Sequence, residues 1–280
     1  MSGQGLWPGG AKAAISITMD NLGEAQEVFN GTWPEDQPFG THTSVRSELP
    51  RMLDLLDRHS VKATYFAESW SLDVYPEVIK DLQARGHEVA CHGYQHEPWG
   101  ADLPAKEANY LFIRCNETAK DNGIEYAGFR PPGGSVNAET AKLLKSFGYR
   151  YISPLGEFGV NDNGVVTLPF EWRAVDAFYY MEKDKFSEIR KAHGETEEAL
   201  TPDDFKAFLM RKIDEVVDKG GYMSILFHPF LTTTDEKLAV MEEVVSRVRA
   251  DPEIYCSPCR DVARWVQESA DPAIFGTSRD

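Results

Sequence analysis

The sequence predicts an α/β fold, with alternating strands and helices forming a parallel sheet covered by helices, open or closed into a barrel. Short apolar runs alternate with longer amphipathic stretches, and glycines follow several of those stretches where helices end. Several apolar runs also stop directly at a polar residue capable of chemistry.

Residues 13–19, with Ile15 and Ile17, read as a buried first strand. Residues 44–59 carry Val45, Leu49, Met52, Leu53, Leu55 and Leu56 at helical spacing. Strands follow at 63–66 and 88–91, separated by a helix over 75–85 that Gly86 ends. Residues 104–122 form a long helix closed by Gly123, and the strand at 128–130 is halted by Pro131-Pro132-Gly133. Asn137 can cap a helix to 147. Short strands sit at 151–152 and 165–168. Thr201 and Pro202 open a helix over 203–219, broken by Gly220-Gly221 before a strand at 222–227. Helices at 235–250 and 260–269 flank a last strand at 254–256. Residues 23–43 and 184–200 are long and polar, and each reads as an insertion over one face. With no repeat and no linker, residues 1–280 read as a single domain with disorder-prone ends near 1–11 and 270–280.

The 280 residues are 42% hydrophobic and 26% charged, within the range of soluble enzymes. A net charge of −16 argues against nucleic-acid or anionic-membrane partners, which need clustered Lys and Arg. No apolar stretch is long enough to cross a bilayer, and the N-terminus lacks the basic and apolar regions of a signal peptide. Cytoplasmic location is therefore expected, and four cysteines fit a reducing compartment. Cys256-Ser257-Pro258-Cys259 lacks the second ligand pair of a structural zinc site and reads as a strand end entering a turn.

Gly86-His87-Glu88-Val89-Ala90-Cys91-His92-Gly93-Tyr94-Gln95-His96 ends an apolar run in one histidine and places a second four residues on. At that spacing two imidazoles can reach one ion from a single helical turn. Reacting groups of parallel α/β folds gather at the C-terminal strand ends. That rule selects Asp20 and Asn21, His92 and His96, Arg130 with the Pro131–Gly134 turn, Glu171, Trp172 and Asp176 after Pro169, and His228.

The order of these residues resembles the polysaccharide deacetylase family, carbohydrate esterase family four, over nearly the whole chain. Thr18-Met19-Asp20-Asn21 stands where that family has Thr-Phe-Asp-Asp. His92 and His96 match its histidine pair, Arg130-Pro131-Pro132-Gly133 its Arg-x-Pro-aromatic motif, and Ser224 to His228 its last strand. The resemblance implies a distorted (β/α)7-type barrel and hydrolysis of non-peptide C–N bonds, foremost deacetylation of an N-acetylated sugar. It also implies Zn²⁺ or another divalent ion, with His92, His96 and position 21 as ligands. Asp20 would be the general base, held ionised and oriented by Arg130. The Gly133 N–H would bind the oxyanion, Trp172 would contact substrate, and His228 would be the general acid with Asp176 behind it.

Three departures qualify this reading. Asn21 replaces the aspartate ligand, so Asp20 or Glu24 could take its place, or no ion binds. Gly133 replaces the aromatic that walls the sugar site. The spacing around Pro169, Trp172 and Asp176 resembles a cytoplasmic branch that includes intracellular peptidoglycan deacetylase-like proteins, metal-independent allantoinases and cyclic imide hydrolases, whose members are often homo-oligomers. A small cyclic amide is therefore the alternative substrate, with Trp33 and Phe39 of the first insertion as a lid. A sugar-binding relative without catalysis is the third reading. Asp20 is expected to be exposed at its strand end, with little part in packing.

Overall fold

In a computed structural model that describes residues 5–100, 102–182, 184–269 and 272–278, β1 (Ala13–Asp20) is buried along its whole length. It pairs in parallel with three strands, which makes it the hub of the sheet. Next come α1 (Ala25–Phe29), a π-helical turn at Ser44–Glu48 leading into α2 (Leu49–Arg58), and β2 (Thr64–Ala67). Then follow α3 (Ser69–Val74), α4 (Pro76–Ala84), β3 (Glu88–Cys91), α5 (Ala105–Asp121), β4 (Gly128–Phe129), α6 (Ala138–Ser146) and β5 (Tyr151–Ile152). The chain continues through β6 (Gly159–Val160), β7 (Val166–Thr167), α7 (Asp176–Tyr180), α8 (Asp184–Ala192), α9 (Pro202–Lys219), β8 (Gly221–Phe227), α10 (Asp235–Ala250), β9 (Ile254–Cys256) and α11 (Cys259–Glu268).

Among the described residues the sheet runs β6-β7-β5-β4-β3-β2-β1-β8, with β9 paired to β1. β9 pairs with Ala13–Ile15 and β2 with Thr18–Asp20, so β9 fills the N-terminal half of the space beside β1. All pairings are parallel except β6 with β7. The gap between β7 and β8 carries one bridge, Val175 to Leu226, so the sheet curls into a distorted barrel rather than a fully laddered one. Helices pack their apolar faces outside it. Met52, Leu53, Leu55 and Leu56 of α2 and Phe205, Leu209 and Ile213 of α9 are buried at helical spacing. Thr201 and Asp204 form a capping box at the start of α9.

Several local expectations need correction. The insertion at 184–200 contains α8. The guanidinium of Arg190 is buried and donates to the carbonyls of Phe178, Met181 and Glu197, which fastens α8 over the end of α7. The insertion at 23–43 likewise contains α1. The stretch near 1–11, expected to be disorder-prone, is packed over its described part. Trp7 is buried against the rings of Phe158, Tyr255 and Phe275. Residues 1–4, 270–271 and 279–280 of the expected loose ends lie outside the described residues. No helix of the described residues is long and apolar enough to cross a membrane.

Trp7→Ala removes a buried indole from a cluster that ties both ends of the chain to the barrel. Urea unfolding should register a loss of roughly 3–5 kcal/mol. An unchanged midpoint would mean that the cluster contributes nothing to the fold.

Candidate active site

The C-terminal ends of β1, β3, β4 and β8 meet at one cavity of about 240 Å³. Asp20, Asn21, His92, His96, Arg130, Gly133, Trp172 and His228 line it. Asp176 lies directly behind His228. The strand-end rule works because each parallel strand delivers its last residue to the same rim.

Asp20 is 3% exposed, not the exposed carboxylate expected, because Arg130 reaches up through the barrel to meet it. Arg130 Nη1 donates to Asp20 Oδ1 at 2.8 Å and to Thr18 Oγ1 at 3.0 Å. Its Nε and Nη2 donate to Ser153 Oγ, and Nη2 also to Ser224 Oγ. The Phe66 ring lies 4.0 Å from the guanidinium carbon. This buried charge is thus met by one carboxylate, three hydroxyls and a ring.

His92 and His96 do not share a helical turn. They occupy a loop after β3 in which Glu97 accepts from the backbone N–H groups of Tyr94 and Gln95. His96 has φ of 66°, a left-handed conformation uncommon for a side-chain-bearing residue. The two rings still meet edge to face, with centroids 5.0 Å apart. His92 Nδ1 donates to the carbonyl of Arg130 at 2.8 Å, which leaves the Nε2 lone pair facing the cavity, 3.8 Å from Asp20 Oδ2. His96 Nδ1 lies 2.9 Å from the Gln26 amide. With that amide turned so that its oxygen accepts, Nε2 of His96 is free to ligate. Burial pushes both rings down to about 3, so each is the neutral imidazole an ion requires.

The strand-end reading missed Glu68, which follows the last residue of β2. Glu68, His92 and His96 form a cluster of potential ligands whose donor atoms lie within 4.8 Å of one another. Burial pushes the Glu68 carboxyl up to about 8, as expected for an acid with no cation beside it. Applying the strand-end rule to the run at 63–66 would have found it. Glu24, the alternative ligand, is turned away and accepts from Gly40 N at 2.7 Å and from the Tyr75 hydroxyl.

On the other wall, His228 Nδ1 donates to Asp176 Oδ1 at 2.5 Å, and Asp176 Oδ2 accepts from the His228 backbone N–H. Burial opposes the imidazolium, but the charge and hydrogen bond of Asp176, together with the charge of Asp20, outweigh it, and the His228 pKa is raised. The Pro132–Gly134 turn brings Gly133 to the cavity at φ of 79°. A Cβ on Gly134 would lie 2.7 Å from Leu155, which demands glycine there.

Trp33 and Phe39 do not cover this cavity. Trp33 stacks on His42, Phe39 meets Trp70 edge to face, and both line a separate depression. The cover comes from the second insertion, where Phe186 of α8 meets Trp172 edge to face and Met181 and Lys185 close the side. Cys256 and Cys259 are free thiols. Burial pushes Cys256 up to about 12 and raises Cys259, which suits neither redox exchange nor metal binding.

Residues 35–152 match the polysaccharide deacetylase family profile. The peptidoglycan deacetylase of Helicobacter pylori is 32% identical over 104 residues, 37% of this chain and 35% of that protein. The matched stretch thus spans about a third of the curated relative's length. A structure from Mycobacterium smegmatis, assigned to the polysaccharide deacetylases, superposes with a TM-score of 0.76 at 26% identity, covering 92% of this chain and 91% of the other. An allantoinase structure superposes with a TM-score of 0.70 at 18% identity over 94% and 93%, a likeness of fold alone. Profile, relative and architecture agree in likening this chain to the polysaccharide deacetylase family, the profile over residues 35–152 and the fold over most of the chain.

Proposed function

We propose that the chain hydrolyses an acyl C–N bond, foremost the acetamide of an N-acetylated sugar. The observation that carries this reading is the convergence of Asp20, the His92–His96 pair and an Asp-backed histidine on one cavity. In the proposed reaction Asp20 accepts a proton from the attacking water as the new C–O bond forms. The Gly133 N–H faces the developing oxyanion. His228 then gives its proton to the nitrogen as the C–N bond breaks, because an amide nitrogen leaves poorly unless protonated. A divalent ion held by His92 and His96, with Zn²⁺ the favoured candidate for such a nitrogen–oxygen donor set, would polarise the carbonyl and lower the pKa of water. Cytoplasmic location and homo-oligomeric assembly remain part of the proposal.

One observation favours a second substrate class. Phe170, Trp172, Phe186 and Phe230 wall the cavity, and α8 lies over it, so a small cyclic amide fits where a long polymer would need an open groove. A hydrolysis screen with N-acetylglucosamine oligomers, allantoin and cyclic imides separates the two. Release of acetate from the first group supports deacetylation, ring opening alone supports the second class, and no turnover of any rejects both.

Asp20→Asn should lower kcat by roughly 10²–10⁴-fold. It should also destabilise the fold by roughly 3 kcal/mol, because the buried Arg130 charge loses its carboxylate. Full activity would exclude Asp20 as the base. His228→Ala should slow amides far more than activated esters, whose leaving groups need no proton, and equal losses would remove the general-acid role. In the wild type the raised pKa keeps His228 protonated above pH 6.5, the usual histidine value. Asp176→Asn removes the charge of Asp176 that raises the His228 pKa, so the basic limb of the kcat/KM profile should move to lower pH. An unmoved limb would dissociate Asp176 from that titration.

A further inference from the structure

We infer that the carboxylate of the ion site has moved from the end of β1 to the end of β2, so that Glu68 ligates and Asn21 positions it. The inference rests on the metal-assisted reading above and assigns roles within that site. Two backbone hydrogen bonds bring the elements together: Ser69 N donates to Gly93 O and Trp70 N to Tyr94 O, both at 2.9 Å. These bonds dock the start of α3 on the histidine loop and set Glu68 beside His92. Glu68 is 1% exposed, and no cation pairs with it among the described residues. A buried carboxylate left in that condition is costly, and an ion shared with two neutral imidazoles relieves it.

Asn21 is built to hold Glu68. Its φ of 63° turns it back toward β2, and the Tyr65 hydroxyl fixes its carbonyl at 2.9 Å. Asn21 Nδ2 donates to Glu68 Oε1 at 3.0 Å, and the backbone N–H of Leu22 donates to Oε2 at 2.8 Å. A carboxylate oxygen has two lone pairs, so each keeps one for an ion. The same geometry explains why position 21 is an amide. An aspartate there would set two carboxylates within hydrogen-bond distance, each disfavouring the charge of the other. Asn21 and Glu68 are thus a matched pair, in which one residue lost a charge and the other supplies it.

The test is Zn²⁺ titration by calorimetry of the metal-stripped full chain, with Co²⁺ absorption as a report on the ligand set. Glu68→Gln should weaken Zn²⁺ binding by more than the roughly 100-fold that loss of a supporting group costs. Asn21→Ala should weaken it by about 10–100-fold and leave the Co²⁺ spectrum close to wild type, as for a positioning residue. The double variant Asn21→Asp with Glu68→Gln, which returns the carboxylate to β1, should bind more tightly than Glu68→Gln alone. Circular dichroism checks folding, and Glu68→Ala, which removes the ligand outright, replaces Glu68→Gln if that variant does not fold. Wild-type affinity in a folded Glu68 variant would overturn this inference while leaving a metal-assisted reaction standing. Tighter binding by Asn21→Asp alone would also overturn it. A wild-type chain that takes up neither ion would remove the metal reading and this inference together.

Discussion

A single guanidinium inside the barrel organises the molecule. Arg130 arrives from the end of β4 and donates to groups on β1, on β8 and just after β5, while Phe66 of β2 lies against its face. A barrel built from strands as short as two residues has little ladder to hold it in register. The guanidinium supplies cross-links between strands where backbone bonds are few. It also explains why Asp20 is buried, since the interior charge needs a carboxylate within reach. Structure and chemistry are therefore not separable at this position.

Around that centre, three imidazoles occupy three environments. His92 is buried and His96 half-buried, neither with a carboxylate accepting its proton, and desolvation drives both neutral. The third is also enclosed but donates to Asp176, and its pKa is raised. The same side chain thus presents a bare lone pair on one wall and a more basic ring on the other, with the difference set by what stands behind each.

The strand ends were legible because a parallel α/β fold leaves its chemistry at one rim, and Asp20, His92, Arg130 and His228 each terminate an apolar run. The histidine pair was legible as a pair but not in its conformation. Spacing alone fits a helical turn, whereas the Glu97 bonds to Tyr94 and Gln95 and the left-handed His96 make a loop. Glu68 escaped notice because the run before it was read as structure only, and α3 escaped because six residues carry too little periodicity. β6 is a two-residue strand with no pattern to detect. Aromatic content pointed to Trp33 and Phe39 as a cover, but composition does not say which way an insertion folds. Arg190 decides that by anchoring the other insertion instead.

The manner of that anchoring bears on how such an enzyme can diversify. Arg190 grips main-chain oxygens of Phe178, Met181 and Glu197, and every residue type offers one. The attachment of α8 is therefore largely indifferent to the side chains at its contact points. Positions that look into the cavity, Lys185 and Phe186 among them, can be exchanged while the helix stays in place. Descendants of this chain can thus reshape the cavity through a few substitutions on one helix, while the polar groups beneath it stay in place.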